Sequence, residues 1–121
     1  MEFIQTILQV VIALGIFNVW LVRGSNPTNY RGGSASNIKE EFAIYGLPTW
    51  AFYIIGTTKI ACAVALTLGI WLHALITPAA SILGILMLGA ILMHIKVKDP
   101  LIKSLPAATL LAMCLCLVLL T

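Results

Sequence analysis

Four stretches of this 121-residue chain are long, apolar and almost free of charge: Phe3–Val22, Trp50–Leu72, Pro78–Ile95 and Leu105–Leu120. About 20 apolar residues in a helix span the hydrocarbon core of a bilayer. Hydrocarbon offers no partners for backbone N–H and C=O groups, so runs of this length are restricted to helices that satisfy them internally. The composition agrees, with 61% hydrophobic and 9% charged residues, against roughly 25% charged in a soluble domain. The sequence predicts an all-α fold: a four-helix transmembrane bundle with a short interfacial helix in the first loop. Residues 1–121 form one domain, because no segment outside the apolar runs is suited to bury a core of its own. The net charge of +3 is small and local, and reads as a topology signal rather than nucleic-acid binding. Met1-Glu2-Phe3 lacks a positive n-region and no small-residue cleavage site follows Trp20, so the first run is expected to remain as a helix.

The boundaries have physical markers. Pro48 follows Gly46-Leu47 and is expected to start the second helix. Thr77-Pro78 offers an N-cap hydroxyl before a proline at the first helical position. Asp99-Pro100 repeats that pattern, so the fourth helix is expected from Pro100 with a kink near Pro106. The few residues around His73 make the second and third helices an antiparallel hairpin. The connection from Gly24 to Leu47 is far longer than most loops in compact domains. Its second part reads as a short helix capped by Asn37, with Glu40 three residues on and Ile38, Phe42 and Tyr45 on one face. That piece is expected to lie at the interface or to close one end of the bundle.

Several residues have structural readings. Trp20, Trp50, Tyr53 and Trp71 fit interfacial anchors. Gly56, Gly84 and Gly89 permit close helix packing. Gln5 and Gln9 share a face one turn apart and are expected to bridge helices. Cys62, Cys114 and Cys116 contain no CxxC pair; they read as small buried hydrophobes, with no disulfide framework or metal site implied.

Lys59 is the exception within the apolar runs. A Lys at the centre of a spanning helix costs about 2.5–3.5 kcal/mol on insertion scales. It either turns inward, towards a partner, ligand or cavity, or snorkels along its stem to the headgroups. Antiparallel helices put the first and third loops on one side, with Arg23, Arg31, Lys39, Lys96, Lys98 and Lys103. The positive-inside rule then places both loops in the cytoplasm and both termini outside. The lysines of the third loop suit lipid phosphates. Helix two enters from that end, so Lys59 lies about nine residues, or ~13 Å, inside it. His94 leaves helix three there, and Asn18 is one turn from the exit of helix one. A cavity at this end is expected to hold Asn18, Lys59 and His94, with Glu40, Glu41 or Asp99 as counter-ions. Phe52, Gly56, Lys59, Ala63 and Leu66 share one helical stripe; Leu83, Met87, Ala90 and His94 share another. The sequence shows no acidic residue within a span, no metal-ligand cluster, no nucleotide loop and no Ser/His/Asp set. His73 and His94 fall at opposite faces, so they do not jointly ligate a haem.

The strings YGLPTWAFYIIGTTKIACAVAL and LMLGAILMHIKVKDPLIKSLPA, with NVWLVRG and EEFAIYGLP, resemble the DoxX-like membrane family from about Asn18 to about Ala107. The resemblance implies a four-helix membrane bundle. Arg23, Glu41, Tyr45, Gly46, Pro48, Lys59, Gly89, His94, Lys98 and Pro106 match the shared pattern, as a ligand site or as bundle scaffolding. Relatives include a subunit named for thiosulfate:quinone oxidation, bacterial proteins linked to redox stress and animal proteins that assist receptor assembly. This chain has no redox-active cysteine pair.

Together these observations predict a small multi-pass protein of the bacterial inner (plasma) membrane with an accessory role. It is expected to bind a lipophilic ligand or partner helices at a polar site near Lys59 and His94, drawing on Asn18, Arg23, Glu41, Tyr45, Lys98 and Asp99. Its partners are membrane lipids and a second copy or another membrane protein, with no nucleic acid. The alternative is a membrane subunit of a quinone-linked oxidoreductase, with quinone as the one cofactor raised. No catalytic residue and no metal is assigned. A transporter is the weakest reading, because a monomer of this length offers too few helices for inverted repeats.

Overall fold

Helix α1 (Glu2–Phe17) runs directly into a π-helical turn, Asn18–Val22. The short α2 (Ile38–Ile44) follows, then α3 (Thr49–Leu68), α4 (Ile76–Lys96) and α5 (Leu105–Leu120). Short 3₁₀ turns, His73–Leu75 and Leu101–Ser104, lead into α4 and α5. The structure is a computed structural model that describes residues 2–22, 32, 33, 35 and 37–121, with Glu2 and Val22 described for the backbone alone. Among the described residues there is no strand, and four helical segments are long and apolar enough to cross a membrane: Phe3–Leu21, Thr49–Leu68, His73–Lys96 and Leu101–Leu120.

The four long helices pack in a ring, α1 on α3, α3 on α4, α4 on α5 and α5 back on α1. Their shared core is built from Ile12, Ile16, Leu66, Ile76, Leu83 and Leu117, all fully buried. Small residues, Ala63, Ala79 and Ala80, keep the axes close. Leu14, Ile54, Ile85 and Leu119 face outward and are exposed, as a lipid-facing surface requires.

Helix α2 closes one end of this ring. Asn37 caps it, its side-chain oxygen accepting from the Glu40 N–H at 2.8 Å. Ile38 and Phe42 pack on Ala51 at the start of α3, against Trp20 and Phe52. At its far end the Leu47 N–H bonds to the Phe42 carbonyl and the Gly46 N–H to that of Ala43, with Gly46 at φ 81°. That is a Schellman stop, and it needs a residue at ease in the left-handed region.

Three boundary expectations are corrected. Thr77 does not cap α4, which starts at Ile76 with Leu75 as its N-cap residue. The 3₁₀ turn before it supplies the entry, and Pro78 is harmless in the first turn, where N–H groups have no intrahelical partner. Asp99 does not cap the segment after Pro100, because its carboxylate is engaged elsewhere. Pro106 produces no mid-helix kink; it sits in the first turn of α5, where 3₁₀ geometry gives way to α. Two packing expectations also change. A Cβ on Gly89 would meet nothing within 4 Å, so no helix approaches there. Cys62 and Cys114 are buried, whereas Cys116 is exposed on the opposite side of α5.

The two glutamines do bridge helices. Gln9, 2% exposed, donates from Nε2 to the Leu66 carbonyl at 2.8 Å. That carbonyl belongs to the last turn of α3, where Ile70 N–H bonds to Thr67 instead. Gln5 does the same for the Leu120 carbonyl of α5, at 2.6 Å. Gln9→Leu should therefore lower stability by about 0.6–2 kcal/mol, measured as unfolding in detergent micelles. Leu14→Ala, at an exposed position, serves as the neutral control.

Candidate functional site

The polar residues meet at the α2 end of the bundle, and Lys59 is the deepest of them. Its side chain is buried, with 9% of the residue exposed, so it does not snorkel to the surface. The Nζ atom lies 5.4 Å from the centre of the Trp20 ring, within cation–π range. Gly56, one turn before Lys59, makes this possible: a Cβ there would come within 2.5 Å of the Trp20 ring. Trp20 is thus no interfacial anchor. The π-helical turn changes the angular register of its side chain, and the ring packs inward against Phe42 and Phe52. Trp50, Tyr53 and Trp71 remain exposed, as expected of anchors.

Glu41 is the acid that acts electrostatically on Lys59, but the described ion pairs do not join the two. Among the described residues no hydrogen-bond acceptor reaches Lys59 Nζ. Glu41 Oε1 instead accepts from the Tyr45 hydroxyl at 2.5 Å, one turn along α2. Tyr45 is 3% exposed. Its ring fits only because Gly32 lacks a side chain; a Cβ there would stand 2.5 Å from the ring.

Tyr45 Oη is also 3.4 Å from both ring nitrogens of His94, a long contact with the rings edge to face. His94, 4% exposed, bonds through Nδ1 to Asp99 Oδ2 at 2.8 Å. The other oxygen, Oδ1, accepts the Gly33 N–H at 3.0 Å and lies 3.7 Å from Lys103 Nζ. Four titratable groups, Glu41, Tyr45, His94 and Asp99, therefore form one chain across α2, α4 and the turn after α4, buried at Tyr45 and His94 and half-buried at its two ends.

Two of the third-loop lysines bond to backbone of the first loop. Lys96 Nζ donates to the Tyr45 carbonyl at 2.8 Å, and Lys103 Nζ to the Gly33 carbonyl at 2.6 Å. They fasten the first loop to the third. Lys98 is exposed and contributes through its backbone. At φ 59° it completes a second Schellman stop, with Lys98 N–H on Ile95 and Asp99 N–H on His94. This turn folds Asp99 back onto the His94 ring. A non-glycine residue in that conformation carries about 1–2 kcal/mol of strain.

Of the residues singled out from the sequence, Glu41, Tyr45, His94 and Asp99 come together, and Lys59 feels the charge of Glu41 without touching it. Asn18 is exposed at the start of the π-helical turn and stands apart from them. Glu40 is exposed on α2. Arg23 lies outside the described residues. Trp20, Gly32, Gly33 and Lys103 were not singled out for the site. Only Gly56 beside Lys59 signalled a close neighbour.

Two outcomes follow. Burial pushes the Asp99 carboxyl up, but the hydrogen bonds from His94 and Gly33 N–H and the charges of Lys103 and His94 outweigh it, so the group sits below its ordinary 3.8. A depressed folded value means that the stabilisation is complete above about pH 4 and is lost as the pH falls through the folded value. Thermal unfolding in micelles from about pH 6 down to about pH 2 should show that acid limb, and Asp99→Asn should flatten it. Separately, Lys98→Gly should stabilise the protein by about 1 kcal/mol in the same assay by relieving the left-handed strain.

The sequence pattern of the DoxX-like family matches residues 31–118, which takes in α2 to α5 and the Glu41–Tyr45–His94–Asp99 chain. No curated protein and no solved structure matches significantly. With four apolar helices and a match over most of its length, this small multi-pass integral membrane protein belongs to the DoxX-like family.

Proposed function

We propose that the protein has an accessory role in a bacterial plasma membrane, holding the polar head of a lipophilic molecule against Lys59. One observation carries this reading: a buried ammonium with no hydrogen-bond acceptor among the described residues. An ammonium has three donors and no acceptor, and leaving it unpaired away from water is expensive. The Trp20 face compensates only in part, and Glu41 acts from beyond ion-pair contact. A carbonyl, hydroxyl or phosphate oxygen would complete the site, with its apolar tail along the exposed helix faces. A helix of a partner membrane protein, or of a second copy, can supply the same acceptor. The basic loops, with Lys39, Lys96, Lys98 and Lys103 at one end, support a cytoplasmic position for this end.

The second reading is a membrane subunit of a quinone-linked oxidoreductase. Its support is specific: a quinone carbonyl suits the Lys59 donors, and a chain of titratable groups runs from Glu41, whose charge acts on Lys59, to Asp99. In that case Lys59 would bind the carbonyl and His94 would handle protons.

Native mass spectrometry of protein gently extracted from its own membrane, beside Lys59→Met, tests both. The expected result is a lipophilic molecule with an acceptor oxygen bound to the wild type and absent from the variant. A quinone in that position selects the second reading. A retained protein partner lost in Lys59→Met assigns the acceptor to a partner helix. A wild type that carries neither overturns the proposal.

A further inference from the structure

We propose that Glu41, Tyr45, His94 and Asp99 form a proton relay between the buried Lys59 site and the loop-side surface of the bundle. The geometry is a series of contacts on three separate elements, close at both ends and longer in the middle. Tyr45 Oη to Glu41 is 2.5 Å, Tyr45 Oη to the His94 ring is 3.4 Å, and His94 Nδ1 to Asp99 is 2.8 Å. The tyrosine and histidine are buried, and the Asp99 side chain is 5% exposed, while Lys103 beside it reaches 21%. The series starts at Glu41, the acid whose charge acts on the interior Lys59 ammonium, and ends at a turn. A latch that only fastens the loop needs no such ordering, and Lys96 and Lys103 already supply bonds to loop carbonyls.

The hydrogen bonds admit two arrangements with the same number of protons. In the first, Glu41 is protonated and donates to Tyr45 Oη, and the Tyr45 hydroxyl donates to His94 Nε2. In the second, Glu41 is ionised and accepts from Tyr45, and His94 Nε2–H donates to Tyr45 Oη. Passing from one to the other breaks the Glu41 O–H and the original Tyr45 O–H bonds. It forms a new Tyr45 O–H and a His94 N–H. One proton leaves Glu41 and one arrives on His94. Throughout, Nδ1–H points at Asp99, whose carboxylate offsets the imidazolium charge and can take the Nδ1 proton onward to the surface beside Lys103. At 3.4 Å from both ring nitrogens Tyr45 Oη favours neither, so the step needs the His94 ring to turn, and such contacts commonly tighten during transfer. At the inner end no described contact joins Glu41 to Lys59, and a water or the head of a bound molecule would complete that step.

The relay is separable from the ligand reading, because its test uses protein alone. Three tryptophans are present; Trp50→Phe and Trp71→Phe leave Trp20, 5.4 Å from Lys59 Nζ, as the reporter of that charge. The probe is a stopped-flow pH jump on this protein in detergent micelles, read by Trp20 fluorescence, in H₂O and D₂O. Tyr45→Phe keeps the ring, its seat on Gly32 and the backbone carbonyl that Lys96 uses. It should slow the relaxation by about 10²-fold, leave the equilibrium amplitude intact and abolish the deuterium effect. His94→Gln and Asp99→Asn, which retain hydrogen-bonding groups, should slow it too. Unchanged rates in Tyr45→Phe and His94→Gln overturn the relay, as does a Trp20 response that survives Lys59→Met.

Discussion

Hydrocarbon hydrates nothing, and the arrangement of polar groups in this protein follows from that constraint. Thr58, Thr67 and Thr109 return their hydroxyls to carbonyls one turn back. Gln5 and Gln9 are spent on carbonyls in the last turns of neighbouring helices. Tyr45, His94 and Asp99 satisfy one another. Against that background the Lys59 ammonium is conspicuous, because its described company is an aromatic face and a carboxylate at a distance.

The site is aimed by two turns of the same kind. Helices α2 and α4 both stop in Schellman motifs at this end of the bundle. In one, Gly46 holds the left-handed position, and the motif fixes the start of α3 relative to Tyr45. In the other, Lys98 holds it, and the motif swings Asp99 under the His94 ring.

Much of this was legible in the chain. Apolar runs of about 20 residues have one structural solution in a bilayer, so the four spans and their antiparallel order were readable. The Asn37 cap and the buried face of Ile38, Phe42 and Tyr45 were readable because helical spacing is local. The stripe of Gly56, Lys59, Ala63 and Leu66 likewise turned inward. What failed were statements that depend on a distant partner. Asp99-Pro100 looks like a helix cap until His94 and Gly33 compete for the same carboxylate. The bonds of Lys96 and Lys103 to carbonyls 51 and 70 residues away were likewise invisible in the local sequence. Trp20 looks like an anchor, since a π-helical turn has no sequence period of its own.

Those long separations bear on how the protein is made. A polytopic chain enters the membrane helix by helix, and packing comes afterwards. Lys59 is synthesised well before His94, Asp99 and Lys103 exist. Glu41 and Tyr45 precede it, but the bonds that pin their loop arise from the α4–α5 turn. During biogenesis the second span must therefore carry an ammonium that has only the Trp20 face for cover, and the polar end is sealed only when the last helical pair docks. Quality control that recognises a charged residue exposed to lipid would thus read Lys59 as the mark of an unfinished molecule, and its burial as the sign of completion.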